Sequence, residues 1–82
     1  MVMIMKFKNN LRQIRFDAEE MSQQDLADRV GVSRMTIYSI EKEKYVPSAL
    51  LAFKIAQIFD KKVEEVFYLE TEKDVETNAK KI

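Results

Sequence analysis

The 82-residue sequence contains no cysteine and no histidine, and their absence excludes several kinds of chemistry. Without them the chain cannot form disulfides, use a thiol or an imidazole in catalysis, or hold zinc through Cys/His ligands. Its longest apolar run, residues 1–5, is much too short to cross a bilayer, and no basic residue precedes it as in a signal peptide. The composition therefore predicts a cytoplasmic binding domain rather than an enzyme, without cofactor, metal or membrane partner.

Glycine and proline are nearly absent as well, since Gly31 and Pro47 are the single examples of each. An all-β domain uses both residues in its many tight turns, so their scarcity favours helices joined by short connections. The length suits one domain. Fourteen basic and fourteen acidic residues cancel, and no overall field attracts the chain to nucleic acid or anionic lipid.

Three serines, Ser22, Ser33 and Ser48, stand where a hydroxyl can cap a following helix, and Gly31 stands where a helix can end in the left-handed conformation. Apolar residues recur at helical spacing after each serine, and also after Asn9 or Asn10, either of which can cap a first helix. The predicted helices are residues 10–19, 23–30, 34–42 and 49–59, followed by a short fifth helix around residues 63–67.

The two ends of the chain are interpreted differently from its middle. Residues 1–7 have β-compatible side chains and are expected to form an arm or a short strand, and residues 70–82 a polar, solvated tail. Residues 8–69 then form the domain. Residues 3–7 could pair with residues 67–70 in a two-stranded β-ribbon, either within one chain or between two chains.

The two central helices meet the packing requirements of a helix-turn-helix unit over residues 22–42. Ala27 is small enough for a close crossing, and Gly31 permits the sharp turn. Val32, Ile37 and Ile40 are spaced to fill the wedge between the helices. Five conditions met at the correct spacing make this a fairly specific pattern.

The outer side of the third helix carries hydrogen-bonding groups, one methionine and two cations, but no carboxylate. On a helical wheel, four of its members lie opposite Ile37 and Ile40, namely Met35, Tyr38, Ser39 and Lys42. Arg34 lies at the N-terminal edge of this face and Thr36 on its flank. Such a face suits the major groove of DNA, where an arginine fork can bind two guanine acceptors at once. The alternative is an ordinary solvated helix face, in which acidic residues are normally mixed.

These residues resemble the lambda-repressor/Cro-like (XRE) family. The resemblance is carried by MSQQDLA at 21–27, GVSRMTI at 31–37 and IEKEK at 40–44, and it continues through Pro47-Ser48 to residues 63–67. It covers roughly residues 8 to 67. It implies a compact five-helix, all-α domain that binds double-stranded operator DNA, usually as a homodimer, and regulates transcription. A repressor acting on a palindromic operator is the expected form.

The resemblance also implies which residues contact DNA. They are Gln23, Gln24, Ser33, Arg34, Met35, Thr36, Ser39, Lys44 and Tyr45. Tyr38 and Lys42 lie on the same face of the third helix and are expected to reach bases or backbone as well. Glu41 matches a family acid whose expected role is to support the loop after the third helix. Two positions depart from the family pattern, because Lys42-Glu43 replaces the common Asn-Gly and Asp60 replaces a common glycine. The missing loop glycine puts phosphate contact by Lys44 in question.

The neutral charge is unusual for a DNA-binding protein, because phosphate neutralisation supplies much of the affinity. Residues 29–46 hold four cations and two acids, a local balance of +2. We therefore expect few phosphate contacts, about 3 to 5 per monomer. Surplus apolar residues near the end of the domain are candidates for a dimer interface, although Val63 and Phe67 fit the core better. These candidates are Leu50, Phe53, Val63, Phe67, Tyr68 and Leu69.

Two other classes of function are alternatives to DNA binding. A protein-interaction module of the same fold, such as an antitoxin or adaptor, agrees with the neutral charge and with Met35 and Tyr38 on the outer helix. An enzyme is disfavoured, because the acidic pairs lie in polar contexts and one glycine cannot build a phosphate-binding loop. No small-molecule ligand is evident.

Overall fold

The computed structural model describes residues 4–72, which form five helices and one two-stranded antiparallel sheet. In chain order the elements are β1 (Ile4–Asn9), α1 (Leu11–Asp17), α2 (Gln23–Val30), α3 (Arg34–Glu41), α4 (Ala49–Ile58), α5 (Val63–Val66) and β2 (Phe67–Glu72). The five predicted helices are confirmed. Of the predicted tail, residues 70–72 belong to β2 and residues 73–82 lie outside the described residues.

The serine caps that the sequence predicts begin three of the helices. In each case the hydroxyl oxygen accepts a hydrogen bond from the backbone N–H three residues later, at 2.9 Å for Ser22, 3.2 Å for Ser33 and 3.1 Å for Ser48. A cap of this kind stabilises a helix by about 1 kcal/mol. The starts of α2, α3 and α4 are therefore determined locally, and this is why the sequence predicts them correctly.

The ends of α2, α3 and α4 share one backbone geometry, a residue in the left-handed region, although only α2 uses glycine for it. Gly31 after α2 has a φ of 79°, Glu43 after α3 has 64° and Asp60 after α4 has 56°. After α3 the N–H of Lys44 donates to the Ser39 carbonyl at 2.9 Å, as in a Schellman motif. The loop after α3 thus adopts the left-handed turn without the glycine common in the resembling family.

The first helix is shorter than predicted. It ends at Asp17 instead of residue 19, because Glu19 and Glu20 both have positive φ values, 58° and 56°, and turn the chain toward α2. The predicted end of α2 at Val30 is correct, whereas α3 ends at Glu41 and α4 at Ile58, each one residue earlier than predicted. Helix ends are the least certain part of a pattern-based assignment.

The two strands pair with each other within the chain, the first of the two arrangements that the sequence allowed. β1 and β2 are antiparallel, from Ile4 opposite Glu72 to Asn9 opposite Phe67. The Phe7 and Phe67 rings stack with centroids 5.7 Å apart. Because Phe67 is buried and Phe7 packs against the core, the ribbon is attached to the helical body by aromatic contacts.

Every helix contributes apolar side chains to one core. Leu26 and Ala27 of α2, Ile37 of α3 and Ile55 of α4 are completely buried, and Val66 of α5 joins them. The burial of Ala27, Ile37 and Ile40 agrees with the packing predicted for the helix-turn-helix unit. Within residues 4–72, no helix combines the length and apolar character needed to cross a membrane.

The positive φ at Asp60 generates a stability prediction. We expect Asp60→Ala to lower the free energy of unfolding by about 0.5 kcal/mol, because alanine adopts the left-handed region less readily than aspartate, whose short polar side chain can hydrogen-bond locally. Asp60→Gly should raise it by about 0.5 kcal/mol, because glycine adopts this conformation freely. Urea unfolding measures the free energy of unfolding of both variants. Equal stability of the two variants would contradict the assigned backbone strain.

Candidate nucleic-acid interface

Helix α3 presents an open outer side to solvent. Ile37 and Ile40 on its inner side are 0% and 1% exposed, whereas Met35 on its outer side is 56% exposed and Tyr38 is 37% exposed. No other segment of residues 4–72 therefore covers the outer side. The inner side of α3 is packed against the core and its outer side is exposed to solvent, as insertion into a DNA groove requires.

Two shallow grooves flank the outer side of α3, and together they gather nearly all of the predicted DNA-contact residues. The first, the Met35 groove, is lined by Ser33, Met35, Thr36, Ser39, Lys44 and Tyr45. The second, the Arg34 groove, is lined by Arg12, Gln23, Arg34, Tyr38, Glu41 and Lys42. Residues from α2, α3 and the following loop thus converge on one surface.

Gln24 is the predicted contact residue that lines neither groove. Its side chain is exposed on α2, and its amide nitrogen donates to Asp28 Oδ1 of the same helix at 2.8 Å. Gln23 lines the Arg34 groove, whereas the Gln24 side chain projects about 100° further around α2, next to Asp28. The structure separates the two glutamines that the sequence pattern grouped together.

The Arg34 groove rests on a largely buried ion pair between α1 and α3. Arg15 Nε lies 2.6 Å from Glu41 Oε2 and Arg15 Nη2 lies 3.0 Å from Oε1, so the guanidinium binds the carboxylate at two points. Only 13% of the Arg15 side chain and 6% of the Glu41 side chain are exposed. Arg15 also donates to the Met21 carbonyl at 2.7 Å, which secures the turn before α2.

Gln23 connects this ion pair to the recognition surface. Its amide nitrogen donates to Glu41 Oε1 at 3.0 Å, and its amide oxygen accepts from Arg34 Nη1 at 3.3 Å. A carboxylate accepts and does not donate, so Glu41 orients the Gln23 amide with its oxygen toward Arg34. This contact holds Arg34 at the edge of the groove.

Asn9 ties the ribbon to the end of the outward-facing helix. Its side-chain nitrogen donates to the Ile40 carbonyl at 2.9 Å, and its side-chain oxygen accepts from the Leu11 N–H at 3.0 Å. One side chain therefore satisfies groups at the start of α1 and near the end of α3. From the sequence, Asn9 is indicated only as a possible cap for the first helix.

Pairing with distant residues increases the positive character of the surface. Both acids counted within residues 29–46 are neutralised from outside that segment, Glu41 by Arg15 and Glu43 by Lys8 at 3.3 Å. The hydrogen bond to Glu43, and then the charge of Glu43, raise the pKa of Lys8. In contrast, Lys44 forms no ion pair with any residue between 4 and 72.

Tyr38 and Lys42 form a cation–π contact on the same side of α3. Lys42 Nζ lies over the Tyr38 ring, 5.8 Å from its centroid. This contact holds the cation near the surface without neutralising its charge, because an aromatic ring supplies no formal charge. Lys42 therefore stays available to an anion.

The sequence pattern omitted Arg12 and Arg15, which the structure places beside the predicted site. Both belong to α1, outside the helix-turn-helix unit, and no local spacing relates them to residues some twenty positions later. Only Arg15 could have been indicated indirectly. Glu41 matches a family acid with an expected structural role, and such an acid needs a basic partner. Glu41 does have a structural role, but its side chain joins α3 to α1 and α2 instead of contacting the loop after α3.

Comparison with known proteins places these features in a wider group. A family model described as Helix-turn-helix matches residues 11–66, more than half of the chain. The HTH-type transcriptional regulator MJ0272 of Methanocaldococcus jannaschii is 51% identical over 63 residues, which cover 77% of this chain and 94% of that protein. The HTH-type transcriptional regulator YgzD of Bacillus subtilis is 55% identical over 51 residues, 62% of this chain and 77% of its own. A regulator of the same description from Archaeoglobus fulgidus is 52% identical over 52 residues, 63% of this chain and 73% of its own.

The largely buried Arg15–Glu41 ion pair should contribute more to stability than an exposed pair does. Glu41→Gln should lower the free energy of unfolding by about 3 kcal/mol, because it leaves the buried Arg15 guanidinium without its counter-charge. The matched control is Arg29→Gln, which removes an exposed ion pair with Asp25 within α2 and should cost less than about 0.5 kcal/mol. Urea unfolding distinguishes them. Similar losses in the two variants would show that the Arg15–Glu41 pair is no more stabilising than a surface pair.

Proposed function

This chain belongs to the XRE-like helix-turn-helix family, and we propose that it is a sequence-specific DNA-binding transcriptional regulator. In this proposal α3 enters the major groove of a palindromic operator, and two copies of the chain bind its two halves as a repressor in the cytoplasm. Relatives described as HTH-type transcriptional regulators support the regulatory role. The palindromic operator, the dimer and the repressor role are parts of the proposal.

The observation that carries the proposal is the open side of α3. Met35 is 56% exposed, and the one acid among residues 4–72 that lines either groove, Glu41, is largely buried and paired with Arg15. An uncompensated carboxylate would be repelled by phosphates, and none lies on this face. A single helix fits the major groove, which is about 12 Å wide.

Individual roles follow from position and chemistry. Arg34, held by Gln23, is the residue that we propose reads guanine through its two-pronged guanidinium. Met35 can contact a thymine methyl group, and Thr36, Ser39 and Tyr38 can hydrogen-bond to base edges or backbone. Lys44 and Tyr45 in the loop, with Ser33 and Gln23 at helix starts, are suited to phosphate contact. Gln24 is the weakest of the predicted contacts because its side chain bonds to Asp28.

The proposed dimer uses apolar side chains that the monomer leaves exposed. Leu50 is 68% exposed and Phe53 is 60% exposed on α4, and Leu69 is 58% exposed on β2, beside Tyr68. Phe67, another sequence candidate, is 5% exposed and belongs to the core, and Val63 is half-buried against it. A dimer is favoured because one such module makes few base contacts, and two half-sites one helical turn apart increase the affinity.

A second candidate function is a protein-interaction module of the same fold. The exposure of Met35 and Tyr38 on α3 favours it, because methionine and tyrosine are common at protein interfaces. In that case α3 would bind a protein and the chain would have no preference among DNA sequences.

Selection of DNA from a random pool tests the proposed function. The wild-type protein should enrich a palindromic sequence whose half-sites have centres about 10 base pairs apart. Enrichment of single half-sites would exclude the dimeric arrangement. Failure to enrich any sequence would exclude the regulator and favour the protein-interaction module.

Arg34→Ala tests the reading role on the selected operator. It should reduce discrimination at one base pair of each half-site by about 1–3 kcal/mol, because it removes a bidentate contact to guanine. Lys44→Gln is the comparison, and it should weaken binding about equally for all sequences. Competition binding with single-base operator variants measures both. Unchanged discrimination in the Arg34 variant would remove this residue from the reading role.

The dimer is tested by two substitutions of equally exposed phenylalanines. Phe53→Ser should raise the dissociation constant of the dimer by about tenfold or more, because it removes apolar contact area from the proposed interface. Phe16 on α1 is also 60% exposed but lies outside the proposed interface, so Phe16→Ser should leave the dimer unchanged. Sedimentation equilibrium at micromolar concentration measures both. A wild-type protein that stays monomeric with and without DNA would contradict the dimer.

A further inference from the structure

Arg12 of α1 is an exposed cation beside the proposed DNA-binding surface that is not part of the helix-turn-helix unit. It lines the Arg34 groove together with Gln23, Arg34 and Lys42. Its side chain forms no hydrogen bond and no ion pair with any residue between 4 and 72. Arg12 also lines the neighbouring depression beside Phe16, so open space lies on both sides of it.

The charges around Arg12 favour an anion in the Arg34 groove. Arg12, Arg34 and Lys42 bring three positive charges to this groove, and its one acid, Glu41, is already paired with Arg15 at two points. Three cations around one groove repel one another unless an anion enters. Within the described residues, the protein itself supplies no free carboxylate to the groove.

We propose that Arg12 binds a backbone phosphate of DNA at the edge of the major groove that α3 enters. The inference rests on the proposed function and extends the DNA surface from α2 and α3 to the first helix. The guanidinium fork matches the geometry of phosphate oxygens and can bind two of them. Because phosphates are the same at every base pair, this contact adds affinity and orientation without selecting a sequence.

The position of Arg12 relative to Arg34 suggests that the phosphate contact orients α3 in the groove. The two arginines line the same groove but come from helices that Arg15 and Glu41 hold together. A phosphate bound by Arg12 would therefore restrict the angle at which α3 lies in the groove, and Arg34 would reach its base from a constrained position. A contact from a rigidly attached element loses little conformational entropy on binding.

The test compares Arg12→Gln with Arg12→Lys and with a control on another surface. Lys61 is exposed and lines a depression beside Phe53, away from both grooves of α3, so Lys61→Gln removes one positive charge without removing the proposed contact. Binding to the selected operator and to unrelated DNA is measured between 50 and about 200 mM salt. The slope of log affinity against log salt gives the number of phosphate contacts per subunit.

Arg12→Gln should weaken binding about tenfold for operator and unrelated DNA alike, and it should reduce the salt slope by about 1 per subunit. Arg12→Lys should keep the slope, because it keeps the charge. Lys61→Gln should change the slope by much less. Phosphate ethylation interference adds a positional readout, since one phosphate in each half-site should matter to the wild type and cease to matter to Arg12→Gln.

The outcomes separate this proposal from the proposed function. If the wild type binds its operator and Arg12→Gln keeps the full slope and the same ethylation pattern, the Arg12 contact is wrong and DNA binding stands. An equal loss of slope in Lys61→Gln would also overturn the contact, because it would show a general effect of net charge. If the wild type selects no DNA, the proposed function fails and this inference fails with it.

Discussion

The largely buried pairing of Arg15 with Glu41 is the interaction on which the recognition surface depends. It joins α1 to α3, and through Gln23 and the Met21 carbonyl it also holds the start of α2. The three helices that carry the candidate interface are thus linked by one set of polar contacts at their common edge. Apolar packing alone holds helices together without fixing their orientation as strictly, because it is not directional.

The same pairing determines the electrostatics of a protein with no net charge. Glu41 lies on the element that is proposed to approach phosphates, yet its charge is compensated by a cation from another helix, and Lys8 does the same for Glu43. The positive charges of α3 and its loop are therefore not compensated by these two acids, and they make the surface positive. A neutral chain can therefore carry a positive surface, because opposite charges are sorted in space and need not be unequal in number.

The sequence predicted most of the fold because most of its determinants are local. Serine caps and apolar spacing located the helices, and Gly31 located the turn between α2 and α3. Prediction was weaker where left-handed residues are not glycine, as at Glu19, Glu20 and Glu43. Such residues adopt this conformation only because the surrounding structure requires it, and their side chains give no warning of it.

For the candidate site, the sequence by itself determined which side chains α3 turns outward, because helical periodicity relates residues only a few positions apart. The tertiary structure decided that Gln24 lies away from the two grooves, that Arg12 lies beside Arg34, and that Glu41 is neutralised. It also decided that the terminal strands pair within one chain. These are relations between distant parts of the chain, which depend on how helices and strands pack and have no regular spacing in the sequence.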